Sequence, residues 1–312
     1  MVHAGFRNHQ YDPRVISAVL QFVRGFLMGS ADIVPGVSGG TVALILGIYR
    51  GLIANVRGGA QALKALATGK PKGFVEELKA VDWLFLVPLG VGVVAAFLVL
   101  RHPMEDLLHD HSEGTAAVFA GLVVASCILV WRQLTNRDTT RLAVLAGVAL
   151  AAFVLLGFQA GAVKNPPIWM FAITGAVAIC AMILPGISGS FIMLMFGMYA
   201  AVLGGSAAEL GVFLIGATVG LAFFSSLLNW LLQHHEQTVL AALLGLMIGS
   251  LRVLWPWPNG VGFISDEADE VIRGTDLAWP TATELVGGIA LATTAAVATL
   301  LIVRAADTVD QG

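Results

Sequence analysis

Two ionisable residues, Arg24 and Asp32, stand inside apolar sequence just ahead of a block reading Pro35-Gly36-Val37-Ser38-Gly39-Gly40-Thr41. A guanidinium offers a fork of donors that matches phosphate or carboxylate, and a carboxylate nearby can titrate, orient that fork or bind a coupling cation. On a helix, eight positions put the two about 12 Å apart and roughly on one side. Charge in such a stretch is costly, so it is either functional or held as a buried structural pair, unless Arg24 snorkels to the surface. The block recurs 150 positions later as Pro185-Gly186-Ile187-Ser188-Gly189-Ser190, where the residues matching Arg24 and Asp32 are Thr174 and Met182. The encoded chemistry is anion binding on a duplicated backbone that carries charge in one copy only.

Proline removes a donor and fixes φ, and glycine admits conformations other residues avoid, so Pro35 and Gly36, like Pro185 and Gly186, must break a helix. At 312 residues, 57% hydrophobic, 12% charged and mean hydropathy +0.85, the chain reads as an all-α polytopic membrane protein. In hydrocarbon, broken backbone survives only where protein or a watery cavity satisfies it. Two breaks at corresponding places in two halves mark a transporter's binding site. Half-helices starting at Gly40 and Ser190 would turn unpaired N–H groups toward an anion, with hydroxyl donors from Ser38, Thr41, Ser188 and Ser190. Close helix crossing is the competing use of the same small residues, Gly39 and Gly189 included. The net charge of −3 gives no basic footprint, so nucleic acid is not an expected partner.

Residues 15–34 form an apolar helix, 35–40 interrupt it, and 41–53 form an arm too short to cross about 30 Å of hydrocarbon. The expectation is a re-entrant hairpin over 15–54, then spans near 83–100, 115–131 and 142–160. The second half repeats the plan, with a hairpin over 168–203 and spans near 210–232, 238–254 and 282–303. Residues 1–164 and 165–312 are thus two repeats of one membrane domain. Aligned without a gap, residues 25–49 and 175–199 share ten identities in 25, from Gly25 with Gly175 to Tyr49 with Tyr199. Three crossings between the hairpins would invert the second repeat relative to the first. Loop charge agrees: segments assigned inside hold Arg7, Arg14, Arg57, Lys64, Lys70, Lys72, Lys79, Arg132, Arg137, Arg141 and Arg304. Those outside hold Arg101, Lys164, Arg252 and Arg273 beside acidic clusters at 105–113 and 266–276. Both termini are expected in the cytoplasm, with no cleavable signal peptide.

The basic stretch from Asn55 to Ala80 reads as a surface segment at the anionic inner leaflet. Tyr49 and Tyr199 read as interfacial anchors, and Trp255, Trp257 and Trp279 as part of an aromatic belt. Cys127 and Cys180 read as packing residues. His102, His109 and His111, like His234 and His235 with Glu236, lie in loops at spacings that fit no closed metal site. No metal, catalytic residue or cofactor is expected.

The runs MGSADIVPGVSGGTVALILGIY and CAMILPGISGSFIMLMFGMY resemble the paired signature of the bacterial polyprenyl-phosphate transporter (PopT) family. The resemblance spans nearly the whole chain. It implies a flippase of the cytoplasmic (inner) membrane that returns undecaprenyl phosphate from the outer to the cytoplasmic leaflet for reuse in cell-wall (peptidoglycan) synthesis. Carried over residue by residue, the implied site comprises Arg24, Asp32, Ser38, Gly39, Gly40, Thr41, Ser188, Gly189 and Ser190, with Pro35, Gly36, Pro185 and Gly186 as the hairpin breaks. Family members place an acidic residue after each motif tyrosine, whereas this chain has Arg50 and Ala200, so a proton or sodium gradient would have to act through Asp32 or elsewhere. Two rivals stand beside this reading: an anion or small-molecule transporter of the same architecture, and a membrane lipid phosphatase, for which no nucleophile and base gather at one face.

Overall fold

Helices satisfy their own backbone in hydrocarbon, and the apolar runs of this chain take that course. The computed structural model describes residues 13–33, 37–158, 163–257 and 277–310, all helices and connections. Pro35 and Gly36, the acidic cluster at 266–276 with Arg273, and Arg7 lie outside the described residues. In the first half, α1 (Pro13–Asp32) precedes the block, and α2 (Gly39–Ile45) follows it with Ser38 as N-cap. Next come α3 (Tyr49–Ala67), α4 (Pro71–Ala80), α5 (Trp83–Asp110), α6 (Ser112–Gln133) and α7 (Thr139–Leu155). The second half runs α8 (Ile168–Ile183), α9 (Gly189–Met195), α10 (Tyr199–Leu203), α11 (Ala207–His234), α12 (Glu236–Ser250) and α13 (Ala282–Asp310).

Four of the described helices are long and apolar enough to cross a membrane: Trp83–Leu100, Ser112–Gln133, Ala207–His234 and Ala282–Arg304. The spans expected at 142–160 and 238–254 are shorter, at 17 residues for α7 and 15 for α12. Arg252 closes the end of this pair, its Nη1 donating to Phe153 O at 3.1 Å and its guanidinium lying against Gly157. The connection expected at 102–114 is instead helical as far as Asp110, because Pro103 removes one donor yet keeps a helical φ.

The short arms also differ from expectation. The stretch 41–53 is two helices, since Gly47 (φ +69°) ends α2, with its N–H on Leu44 O at 3.2 Å and that of Ile48 on Ala43 O at 3.0 Å. This is a Schellman turn, which needs a left-handed residue after the last helical one. Gly197 (φ +66°) repeats it, with Gly197 N on Leu194 O and Met198 N on Met193 O, both at 2.8 Å. The basic stretch becomes the outer part of α3 together with α4, divided at Gly69.

Helix pairs meet backbone to backbone at glycines, as expected where lipid gives no hydrophobic drive for association. A Cβ on Gly25 would lie 1.9 Å from Leu89 O, and one on Gly175 2.2 Å from Phe213 O. Gly92 meets Phe22 O at 2.1 Å, and Gly216 meets Ala172 O at 2.0 Å by the same measure. Residue for residue, α1 on α5 and α8 on α11 are one packing used twice. The register ascends on both helices of a pair, from Gly25 with Leu89 to Gly29 with Val93, and from Gly175 with Phe213 to Gly220 with Ala176, so each pair runs in one sense. The remaining pairs cross between halves: Gly121 of α6 meets Ala292 O of α13 at 2.0 Å, and Gly245 of α12 meets Leu145 O of α7 at 2.4 Å. A buried core of Val37, Ala43, Leu44, Tyr49, Val123, Leu240, Leu244 and Met247 joins α2 and α3 to α6 and α12. Neither half can therefore close its core alone.

Candidate functional site

The two recurrent blocks lie against one another at the centre of this packing. Ser38, fully buried, accepts from Gly40 N at 3.1 Å and donates its hydroxyl to Met182 O at 3.2 Å. Thr41 Oγ1, also buried, accepts from Gly186 N at 3.0 Å. Gly40 fits under the end of α8, where a Cβ would come within 2.7 Å of Ile183 O. Tyr49 adds its hydroxyl to the same carbonyl at 3.1 Å and is 2% exposed. That corrects its expected role as an interfacial anchor: a phenol so buried needs a partner, and the carbonyl freed where α8 ends supplies one. The backbone groups freed at the second break, Met182 O, Ile183 O and Gly186 N, are thus satisfied by side chains of the first half, while Gly39 N and Gly40 N are met within the first half by Asp32 and Ser38.

Pro185 and Gly186 are both buried, and Gly186 has φ +91°, a conformation that suits glycine. A Cβ there would also lie 2.8 Å from Ser250 Oγ and 3.0 Å from Met247 Cα, so α12 covers this turn closely.

The polar groups beside the breaks differ. In the first, Asp32 Oδ1 accepts from Gly39 N at 2.6 Å, so its carboxylate takes the first free N–H of α2. In the second, the thioether of Met182 occupies the matching place, near enough to Gly189 that a Cβ would fall 2.6 Å from its Cγ. Ser188 is buried, and its hydroxyl shares a hydrogen bond with that of Ser190 at 2.5 Å. These hydroxyls form a small polar patch with lone pairs and a proton to give. Arg24 is partly buried on α1, about 12 Å from Asp32 along the axis. Asp32 therefore caps α2 and does not pair with Arg24 as one expectation had it.

The helices expected to begin at Gly40 and Ser190 begin one residue earlier, at Gly39 and Gly189, and have seven residues each. About two turns sum little dipole, so the donors here are individual N–H and O–H groups. Among the described residues no group of three or more His, Cys, Asp or Glu side chains gathers to hold a metal ion.

Sequence reasoning missed one further contact. Arg50, which stands where an acidic residue was expected, forms an ion pair with Glu236 at the start of α12. Arg50 is largely solvent-exposed and Glu236 about one-third so, and the pair ties the first half to the second beside His235, the N-cap of α12.

Comparison with known proteins supplies the family. Residues 28–272 match the model of the VCA0040-like family, described as undecaprenyl phosphate translocase-like. The polyprenyl-phosphate transporter of Vibrio cholerae is 37% identical over 255 residues, covering 80% of this chain and 82% of that protein. The polyprenyl-phosphate transporter of Staphylococcus aureus is 31% identical over 258 residues, covering 76% and 86%. No solved structure gives a significant match. Both motifs fall inside the matched region, and the chain belongs to the undecaprenyl phosphate translocase-like family.

Proposed function

We propose that this protein translocates undecaprenyl phosphate across the membrane, from the outer to the cytoplasmic leaflet, as a non-enzymatic transporter of a carrier lipid. The observation that carries this reading is the contact between the two blocks, which sets serine hydroxyls and backbone donors among apolar helices at the join of the halves. A phosphate head group needs such donors and a cation, while a polyprenyl tail needs only hydrocarbon beside it. Arg24 neutralises the phosphate through charge-assisted hydrogen bonds, and Ser188 and Ser190 add hydroxyl donors. Asp32, by capping α2, keeps a negative charge against the first block, so the anion is favoured at the second.

Alternating access comes from two inverted repeats, each a re-entrant hairpin followed by three helices. The shared sense of α1 and α5 supports the hairpin, since the chain must return to its starting side between them. Three helices, α5 to α7, then carry it across before α8. Rocking one repeat against the other would expose the blocks to each leaflet in turn. Loop charge supports cytoplasmic termini and an inner-membrane location.

The test is purified protein in liposomes with labelled undecaprenyl phosphate in the outer leaflet. Faster movement to the inner leaflet than in protein-free liposomes is expected, with no release of inorganic phosphate. Unchanged movement, with a soluble anion flowing instead, would replace the lipid reading by an anion transporter; phosphate release would replace it by a phosphatase.

A further inference from the structure

The halves differ in the helix that starts at the motif tyrosine: α3 runs for 19 residues from Tyr49, whereas α10 runs for five from Tyr199. The additional length lies along α11, and between them is a cleft of about 520 Å³ whose lining includes no residue of either block. Its α11 wall is mostly apolar, with Ala222, Phe223 and Leu227 beside Ser226, and its α3 wall holds Gln61 and Lys64 beside Ala60. Trp230 closes one end, held by stacking on His234 at 5.0 Å between ring centres and by an edge contact with His235 at 5.7 Å. Phe223 is 71% exposed and Leu63 and Leu66, flanking Lys64, are about half exposed, so the cleft faces the surroundings with apolar groups at the level of its single cation.

We propose that this cleft is a binding site for an anionic membrane phospholipid of the inner leaflet, distinct from the transported lipid. The phosphodiester sits on Lys64, one acyl chain lies along Ala222, Phe223 and Leu227, and Trp230 packs at head-group depth. Charge selects the occupant, because the cytoplasmic leaflet is the anionic one and the stretch from α3 to α4 carries Arg57, Lys64, Lys70, Lys72 and Lys79 against Glu76 and Glu77. Size agrees, since the volume suits a head group with part of one chain. Because α3 belongs to the first half and α11 to the second, a lipid held here fixes one half against the other. The site uses the orientation proposed above and is independent of what the protein transports.

The test is native mass spectrometry of the full-length protein in detergent, with phosphatidylglycerol or phosphatidylcholine added at equal concentration. Wild type should retain one phosphatidylglycerol and little phosphatidylcholine. Lys64→Gln should lower phosphatidylglycerol retention by about tenfold, the scale of one charged hydrogen bond. Ala222→Trp, which fills the apolar wall and leaves Lys64 intact, should also lose the lipid, while Lys79→Gln should retain it. Equal retention of the two phospholipids, or unchanged retention by both Lys64→Gln and Ala222→Trp, would overturn the proposal. So would displacement of phosphatidylglycerol by equimolar undecaprenyl phosphate, which would make the cleft part of the transport route. Lipid transport in liposomes is measured separately, so its failure would leave this result standing.

Discussion

At the first break a carboxylate accepts the N–H of Gly39, and at the second a thioether lies beside Gly189. Around them the frame matches, in the Schellman turns at Gly47 and Gly197 and the glycine contacts of α1 on α5 and of α8 on α11, while the N-cap serines differ in partner: Ser38 caps Gly40 N and Ser188 bonds Ser190. The difference teaches where selection can act separately. Geometry needs both copies, because Ser38, Thr41 and Tyr49 of the first complete the hydrogen bonds of the backbone freed at the second. Charge needs only one, since two cations and two carboxylates at the join of the halves would double the desolvation cost.

If the second block owes its shape to a turn only glycine can adopt, Gly186→Ala should cause the largest loss. A Cβ at φ +91° against Ser250 and Met247 should cost roughly 3 kcal/mol, seen as a lower unfolding temperature in detergent. The comparison of Gly39→Ala with Gly189→Ala tests the chemical difference itself. At Gly39 the new methyl would fall 2.5 Å from Asp32 Oδ2 and break the cap, at a cost of about 2 kcal/mol. At Gly189 the obstacle is chiefly Met182, whose flexible side chain can move aside, so about 1 kcal/mol is expected. Equal losses on thermal unfolding would mean that the carboxylate and the thioether play one role. Tyr49→Phe removes a hydroxyl from Ile183 O and should cost about 1 kcal/mol in the same assay, less than Gly39→Ala in the first block. Smallest is Arg50→Ala: an exposed pair with Glu236 is worth about 0.5 kcal/mol, and the effect should vanish in high salt.

The repeated blocks, the unequal charges and the helical plan were legible in the sequence because they are local patterns of residue type. Gly47 and Tyr49 were visible as repeated residues, but their work was not, since the carbonyl that Tyr49 meets is 134 positions away. Arg50 was visible only as a departure from a pattern, and its partner Glu236 lies in the other half. The limits of α7 and α12 escaped hydropathy because those helices stop where Arg252 and Gly157 meet, inside sequence that is still apolar. The lengths of α3 and α10 differ beyond the aligned motifs, so the cleft on α11 has no trace in the repeat.

The central claim is that one cation in a pseudo-symmetric frame holds the lipid phosphate. Its most direct measurement is the rate of undecaprenyl phosphate movement in liposomes carrying Arg24→Ala or, at the matching position, Thr174→Ala. Loss of one charged hydrogen bond to phosphate predicts a rate about 10- to 100-fold lower for Arg24→Ala, with the protein still folded, and a nearly unchanged rate for Thr174→Ala. Equal and mild effects at the two positions would contradict the account and leave Arg24 a structural residue.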